Sequence, residues 1–198
     1  MSRTLPIRLA LCVCWAVLAW LGAAAPAASE DDPKPVYETP IYNAEAKSYF
    51  ELVPIKASDR WLSQRREPEV RWAVAESLAA QRTYKGVKGR LAVVHDLAVH
   101  QFLIEKFRPR EPAWIGAAYY CKERELKWSV GHSQHRGEFQ AWDRQWDQSG
   151  PAGCVHSRGE GNYMPIAYTG APDGFRWVAK GAKKEYTAYF VEYPTGKP

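Results

Sequence analysis

Cysteine is scarce in this chain, and what remains is poorly placed for chemistry. Of the 4 cysteines in 198 residues, Cys12 and Cys14 fall inside an apolar leader, which leaves Cys121 and Cys154. That pair excludes the zinc templates built on Cys-x-x-Cys spacing. Charge of one sign is also lacking. Lys and Arg number 27 against 22 Asp and Glu, a formal charge of +5, and leaving out Arg3 and Arg8 of the leader lowers it to +3. The basic residues are scattered, as in Arg65, Arg66, Lys85, Lys88, Arg108 and Arg110, so no stripe of the kind that tracks a phosphate backbone forms. The densest group, Lys180 with Lys183 and Lys184, precedes a strand and reads as a solvated turn. There is no Ser-His-Asp order, no His-Glu-x-x-His, no phosphate loop, no internal repeat and no low-complexity tract. The one long apolar run lies in the leader, so no membrane span is expected once the leader is cleaved.

That leader is an address. Arg3 and Arg8 give a short positive region, Leu9 to Leu21 is continuously apolar, and Gly22 to Ala28 is small-residue-rich before the acidic Glu30, Asp31 and Asp32. This is the pattern of a secretory signal peptide over residues 1–27, cut after Ala27 or Ala28. The rival reading is an uncleaved anchor, but the apolar core is short of the roughly 20 residues a spanning helix needs. Export implies a secreted, periplasmic or cell-surface location. In an oxidising compartment Cys121 and Cys154 read first as a disulfide. The alternative is a zinc site recruiting His132, His135 and His156, whose spacings match no ligand template.

About 170 residues remain, enough for one domain with one core. Seven of the 9 Trp and all 11 Tyr lie in this part, which supplies a dense interior or aromatic platforms at a surface. Pro33, Pro35 and Pro40 make residues 28–45 an extended linker. Ser48 to Ile55 reads as the first strand. Pro68 opens a helix over Glu69 to Arg82, with Trp72, Ala75 and Ala79 on one face and Val74 and Leu78 beside them. Gly86 and Gly89 end it. Asp96 caps a second helix with Val99, Phe102, Leu103 and Phe107 on one side, and Pro109 and Pro112 bound its end. Short strands follow at Ala113–Tyr120, Leu126–Val130, Met164–Tyr168, Gly174–Val178 and Thr187–Tyr193, which makes the domain α+β.

Six short patterns stand in a telling order. They are Trp72-Ala-Val-Ala75; Tyr84, Gly86, Gly89, Leu91 and Ala92; Trp114-Ile115-Gly116; Trp128-Ser-Val-Gly131; Phe139-Gln-Ala-Trp142; and Tyr189-Phe-Val-Glu192-Tyr193. In that order they resemble the C-type lectin-like domains, in their bacterial form. The resemblance runs from about Ser48 to Pro194 and implies a domain over 46–195: two helices packed on short antiparallel sheets, with a long loop region between Trp128 and Trp177. Trp114 is then a core residue, Gly116 a point where another backbone passes closely, and Glu192 a satisfied structural carboxylate. Cys154 matches the family cysteine at the end of the loop, and Cys121 replaces its usual partner.

The sugar-binding members of that family hold calcium with a Glu-Pro-Asn or Gln-Pro-Asp tripeptide in the loop and a Trp-Asn-Asp tripeptide on a late strand. Calcium needs 6–8 oxygen ligands. Here Trp177 is followed by Val178 and Ala179, and no loop tripeptide follows Trp142, so the usual calcium and sugar motifs are missing and no cofactor is expected. The resemblance implies a non-catalytic recognition module that binds a glycan or protein ligand through its long loop. Trp146 is the expected anchor, with Asp143, Arg144, Asp147, Gln148, Asn162 and Tyr163 around it, while Trp142 is assigned to packing. A calcium-dependent carbohydrate-binding lectin is the alternative. An enzyme on the related, larger formylglycine-generating scaffold is the third reading, disfavoured because the chain lacks that family's length and reactive cysteines.

Overall fold

The computed structural model describes residues 34–56, 69–135, 137–144, 154, 163–171 and 174–198. The leader, Trp61, Pro68, Trp146, Asp147, Gln148, His156 and Asn162 lie outside them. Strand β1 (Ile41–Asn43) pairs with β2 (Ser48–Pro54) in antiparallel register. The chain then passes through β3 (Val70–Arg71) into helix α1 (Trp72–Gln81). Three short strands follow, β4 (Thr83–Tyr84), β5 (Val87–Lys88) and β6 (Arg90–Leu91), before helix α2 (Leu97–Phe107). The remaining strands are β7 (Ala113–Tyr120), β8 (Glu125–Trp128), β9 (Ser133–Gln134), β10 (Tyr163–Ala171), β11 (Gly174–Ala179), β12 (Glu185–Tyr186) and β13 (Ala188–Tyr193).

The main sheet runs β1-β2-β13-β7-β10-β11, with β6 joined to β13 and the β8–β9 pair joined to β7. β13 lies parallel to the first residues of β7, whereas β8 and β10 pair with it antiparallel. Side chains of β13 alternate between two cores, as the strand period requires. Phe190 enters the cluster with Phe50, Leu103, Phe107 and Ile115 on the α2 side. Tyr189, Val191 and Tyr193 enter the one with Trp72, Ala75, Ala79 and Trp114 on the α1 side.

Three local differences from the sequence reading have plain causes. Helix α1 starts at Trp72 and not at Glu69, because Val70 and Arg71 pair with Tyr186 and Glu185 of β12. The expected linker over 28–45 is built into the domain from Val36 onward. The Val36 and Glu38 amides donate to the Phe107 and Leu52 carbonyls at 2.9 Å each, and Ile41–Asn43 is a strand. Glycines 86 and 89 do different work: Lys85 and Gly86, with φ of 48° and 77°, make the β4–β5 hairpin turn, while Gly89 lies against the Ala79 carbonyl.

Other expectations hold. The Asp96 side chain accepts from the Val99 amide at 2.7 Å and so caps α2. Trp114 is fully buried, and its Nε1 donates to the Val70 carbonyl at 2.8 Å, while Trp72 Nε1 donates to the Ile115 carbonyl at 2.7 Å. The two indoles thereby lock the start of α1 onto β7. Gly116 is the close approach that its position implied: its amide donates to the Ala92 carbonyl at 2.9 Å and its carbonyl accepts from the Ser129 amide at 2.7 Å.

A methyl group on Gly116 would stand 2.6 Å from the Leu91 carbonyl oxygen and 2.8 Å from Ser129 Oγ. The first contact is backbone and has no rotamer to yield. We therefore expect Gly116→Ala to destabilise the domain by about 1–3 kcal/mol, read as a lowered urea midpoint at constant slope; an unchanged midpoint would mean that β6 and β7 move apart freely.

Candidate functional site

The first part of the loop region, from Trp128 to Trp142, is fastened at both ends to Trp177. This indole is fully buried, and the rings of Trp128, Phe139 and Trp142 each meet it edge-on with centroids 5.7 Å away. Such contacts contribute roughly 0.5–1.5 kcal/mol each beyond burial. The backbone adds a parallel bridge: the Trp177 amide donates to the Ala141 carbonyl at 2.6 Å, and the Asp143 amide donates to the Trp177 carbonyl at 2.9 Å. Gln134, itself buried, ties the turn together by accepting from Trp128 Nε1 at 2.7 Å and donating to the Phe139 carbonyl at 2.9 Å.

Between this turn and the start of α2 lies a cavity of about 640 Å³, lined by Val93, His95, Asp96, Trp128, His132, Ser133, Gln134, His135, Glu138 and Phe139. Asp96 has both oxygens engaged, one by the Val99 amide and one 3.1 Å from His95 Nε2. Glu138 accepts from the His135 amide at 2.9 Å. A second recess of about 360 Å³ continues past Phe139, between Leu97, His100 and Gln101 of α2 and Gln140, Trp142 and Arg176. Leu97 is 51% exposed there, the one exposed large hydrophobic residue among those described. The histidines do not converge: among the described residues no group of three His, Cys, Asp or Glu side chains is arranged to hold a metal ion.

Beneath the second recess, His100 Nδ1 lies 2.7 Å from the Tyr168 hydroxyl, and both side chains are buried. Burial, helped by the positive charge of Arg176, pushes the imidazole down to about 4. Burial pushes the Tyr168 phenol well above its ordinary value, partly opposed by the Trp177 indole and by Arg176. The indole N–H acts on that hydroxyl through proximity only, since it makes no hydrogen bond of good geometry.

Of the residues expected to form the site, those that are described do not stand together. Asp143 and Arg144 follow Trp142 at the bridge to Trp177, Arg144 being exposed and Asp143 half-buried. Tyr163 is elsewhere: it packs on Trp72 and Tyr120 at 6.1 and 5.8 Å, in the α1-side cluster on the opposite face of the sheet. Trp146, Asp147, Gln148 and Asn162 lie outside the described residues. Trp142 packs as expected, its Nε1 donating to Gln140 Oε1 at 2.7 Å. Cys121 and Cys154 form a disulfide with Cα atoms 5.6 Å apart. The sequence reading passed over His95, Leu97 and His100. The signal was available in the clustering of histidines near Asp96 and after Trp128, but only the fold brings those two stretches together.

Calcium does not fit the described end of its usual place. Val178 pairs with Ala167, Ala179 with Ile166, and Ala179 is buried. Neither side chain offers an oxygen, so the late strand contributes none of the carboxylate ligands that calcium requires.

His100 generates a pH effect. Its folded value near 4 lies below the ordinary 6.5, so below 6.5 the unfolded chain binds more protons. The contribution of the neutral imidazole is complete above about pH 6.5, declines as the pH falls and is gone below about 4, a loss on the order of 3 kcal/mol. We expect the thermal midpoint of His100→Gln, which keeps a partner for Tyr168, to fall less steeply across that window; parallel curves would show that His100 does not titrate on unfolding.

No protein-family model and no curated protein matches the sequence. Solved structures do match. The cow C-type carbohydrate-recognition domain of CD23, solved in the presence of a GlcNAc2Man3 oligosaccharide, gives a TM-score of 0.52 at 16% identity, covering 81% of this chain and 96% of that one. Herring type II antifreeze protein gives 0.51 at 15% identity, covering 78% and 94%. The human scavenger receptor C-type lectin carbohydrate-recognition domain gives 0.50 at 16%, covering 74% and 90%. At these identities the likeness is one of fold: the chain has the α+β fold of the C-type lectin-like domains.

Proposed function

We propose that this chain is an exported, non-catalytic recognition module that binds a glycan or protein ligand through the loop region between Trp128 and Trp177, without calcium. The observation that carries the reading is the sequence Trp177-Val178-Ala179 on β11, where a calcium-using lectin would place two oxygen ligands and this chain places two apolar side chains, one of them buried. The fold supports a binding role, because its solved neighbours include carbohydrate-recognition domains. The leader pattern and the disulfide accord with export. Trp146 is the proposed anchor of the ligand, with Asp143, Arg144, Asp147 and Gln148 beside it, since a Trp flanked by hydrogen-bonding groups suits both a sugar ring and a protein hot spot. Asn162 and Tyr163 belong to the same proposal, Tyr163 from the α1-side face of the sheet.

The test is a glycan array and a pull-down, each run with calcium and then with chelator. We expect binding to survive chelation, and Trp146→Ala to weaken it by about thirtyfold, the effect of losing roughly 2 kcal/mol at a hot spot, with the thermal midpoint nearly unchanged. Abolition by chelator restores the calcium-dependent lectin, and a large loss of stability in Trp146→Ala makes that residue part of the core.

A further inference from the structure

Four of the 5 histidines in the sequence, His95, His100, His132 and His135, line the two adjoining recesses between α2 and the 132–142 stretch. Two elements far apart in sequence supply them, and the recesses share Phe139 as a common wall. The lining is unusual in what is left unused. The imidazoles of His132 and His135 hold no hydrogen bond or ion pair among the described residues, although their backbones are bonded through the Trp128 amide, the Glu138 amide and the Glu138 carboxylate. Glu138 spends one oxygen on the His135 amide, and its other oxygen holds no bond among the described residues. The larger recess has no Lys or Arg among its lining residues and two carboxylates, Asp96 and Glu138, so a phosphate, sulfate or carboxylate ligand is opposed by charge.

We propose that this groove is a binding site for a neutral saccharide, placed at the α2 side of the loop region and distinct from the late strand where calcium lectins hold their sugar. The inference rests on the recognition-module reading and names its site and ligand class. An imidazole offers one donor and one acceptor, a carboxylate offers acceptors, and a hydroxyl needs both kinds. His132, His135 and Glu138 therefore suit a polyol. Phe139, half-buried between the recesses, presents apolar surface to the C–H face of a ring. Exposed Leu97 extends that surface along α2. Volumes of about 640 and 360 Å³ in series lie within the usual range for ligand sites and admit more than one sugar unit. The walls are held before any ligand arrives, by the Gln134 bonds and by the ring contacts on Trp177, so binding orders little that is not already ordered.

The test uses the full mature chain in chelator, titrated with the GlcNAc2Man3 oligosaccharide, chitotriose, maltotriose and cellotriose up to about 10 mM, well into the range where millimolar affinities are visible. We expect at least one of these to shift the imidazole NMR resonances of His95, His132 and His135. The H132A/H135A variant should weaken that binding tenfold or more at an unchanged thermal midpoint, since both side chains are exposed, and H132N/H135N should recover part of it. The groove is overturned if none of the four shifts those resonances, or if the alanine variant binds as the parent does. Saccharide binding lost in Trp146→Ala but kept in H132A/H135A rejects the groove and leaves the recognition reading standing. Loss of all binding in chelator, recovered with calcium, rejects the calcium-free reading itself.

Discussion

Everything in this fold is hung from a buried carboxylate on the last strand. Glu192 is 4% exposed and accepts four hydrogen bonds: from Ser48 Oγ and Arg90 Nη2 on one oxygen, and from Arg90 Nε and the Val93 amide on the other. One side chain thereby fixes the first long strand, the β6 segment and the run into α2 against the strand that closes the sheet. A second buried carboxylate, Glu51 on β2, does the same on the opposite face, accepting from both Arg82 nitrogens at 2.6 and 3.2 Å and from the Tyr193 hydroxyl. Burying an ion pair yields little net stability, because desolvation offsets attraction, yet removing one partner costs about 3–5 kcal/mol. Its effect is on register. A slip of one residue in β13 would turn Glu192 into the α1-side cluster and Val191 into its place, leaving a charge without donors.

The same economy of contacts carries order from the sheet to the loop region. Trp177 sits on β11, in register with Tyr168 of β10, and receives Trp128, Phe139 and Trp142 around its edges. The chain therefore passes from core to loop through one buried ring and two backbone hydrogen bonds, at Ala141 and Asp143. The recesses along α2 are bounded by these fixed parts on one side and by a capped helix on the other. His100 under them is neutral at ordinary pH, so its bond to the Tyr168 hydroxyl holds without a charge to solvate.

Much of this was legible in the sequence, for reasons that show where reading stops. The β7 strand from Ala113 to Tyr120 and the Asp96 cap follow from local chemistry, a β-branched and aromatic run in one case and a side-chain acceptor three residues before an orphan amide in the other. Trp114 as a core residue and Glu192 as a satisfied carboxylate were legible from their places in the strands, but their hydrogen-bond partners were not. The two-residue strands β3 and β12 were not legible, because each exists only through the other, more than a hundred residues away. The tether read from Pro33, Pro35 and Pro40 was misplaced for a similar reason: its composition is that of a linker, but Val36, Tyr37 and Ile41 find apolar neighbours in the α2-side core. Glu51 looked like an ordinary strand residue until Arg82 and Tyr193 met it. Tyr163, grouped with Asp143 and Arg144 by its polar surroundings in sequence, lands on the other face of the sheet because β10 alternates, with Tyr163 and Ala167 on the α1 side and Met164, Ile166 and Tyr168 on the α2 side.

Val178 and Ala179 offer no side-chain oxygen on β11, and the stretch from Trp128 to Trp142 is held in shape by other means. The described residues supply them: the ring contacts on Trp177, the Ala141–Trp177–Asp143 bridge, the Gln134 bonds, and the Cys121–Cys154 link across a separation of 33 residues, worth roughly 3–4 kcal/mol in the chain-entropy account of loop closure. An apolar anchor and a covalent tie hold geometry whatever the ion concentration, whereas a coordinated ion holds it only when bound. On the proposed reading, recognition draws on hydrogen-bonding side chains beside a fixed wall. His132, His135 and Glu138 are such side chains, and the wall beside them is Phe139.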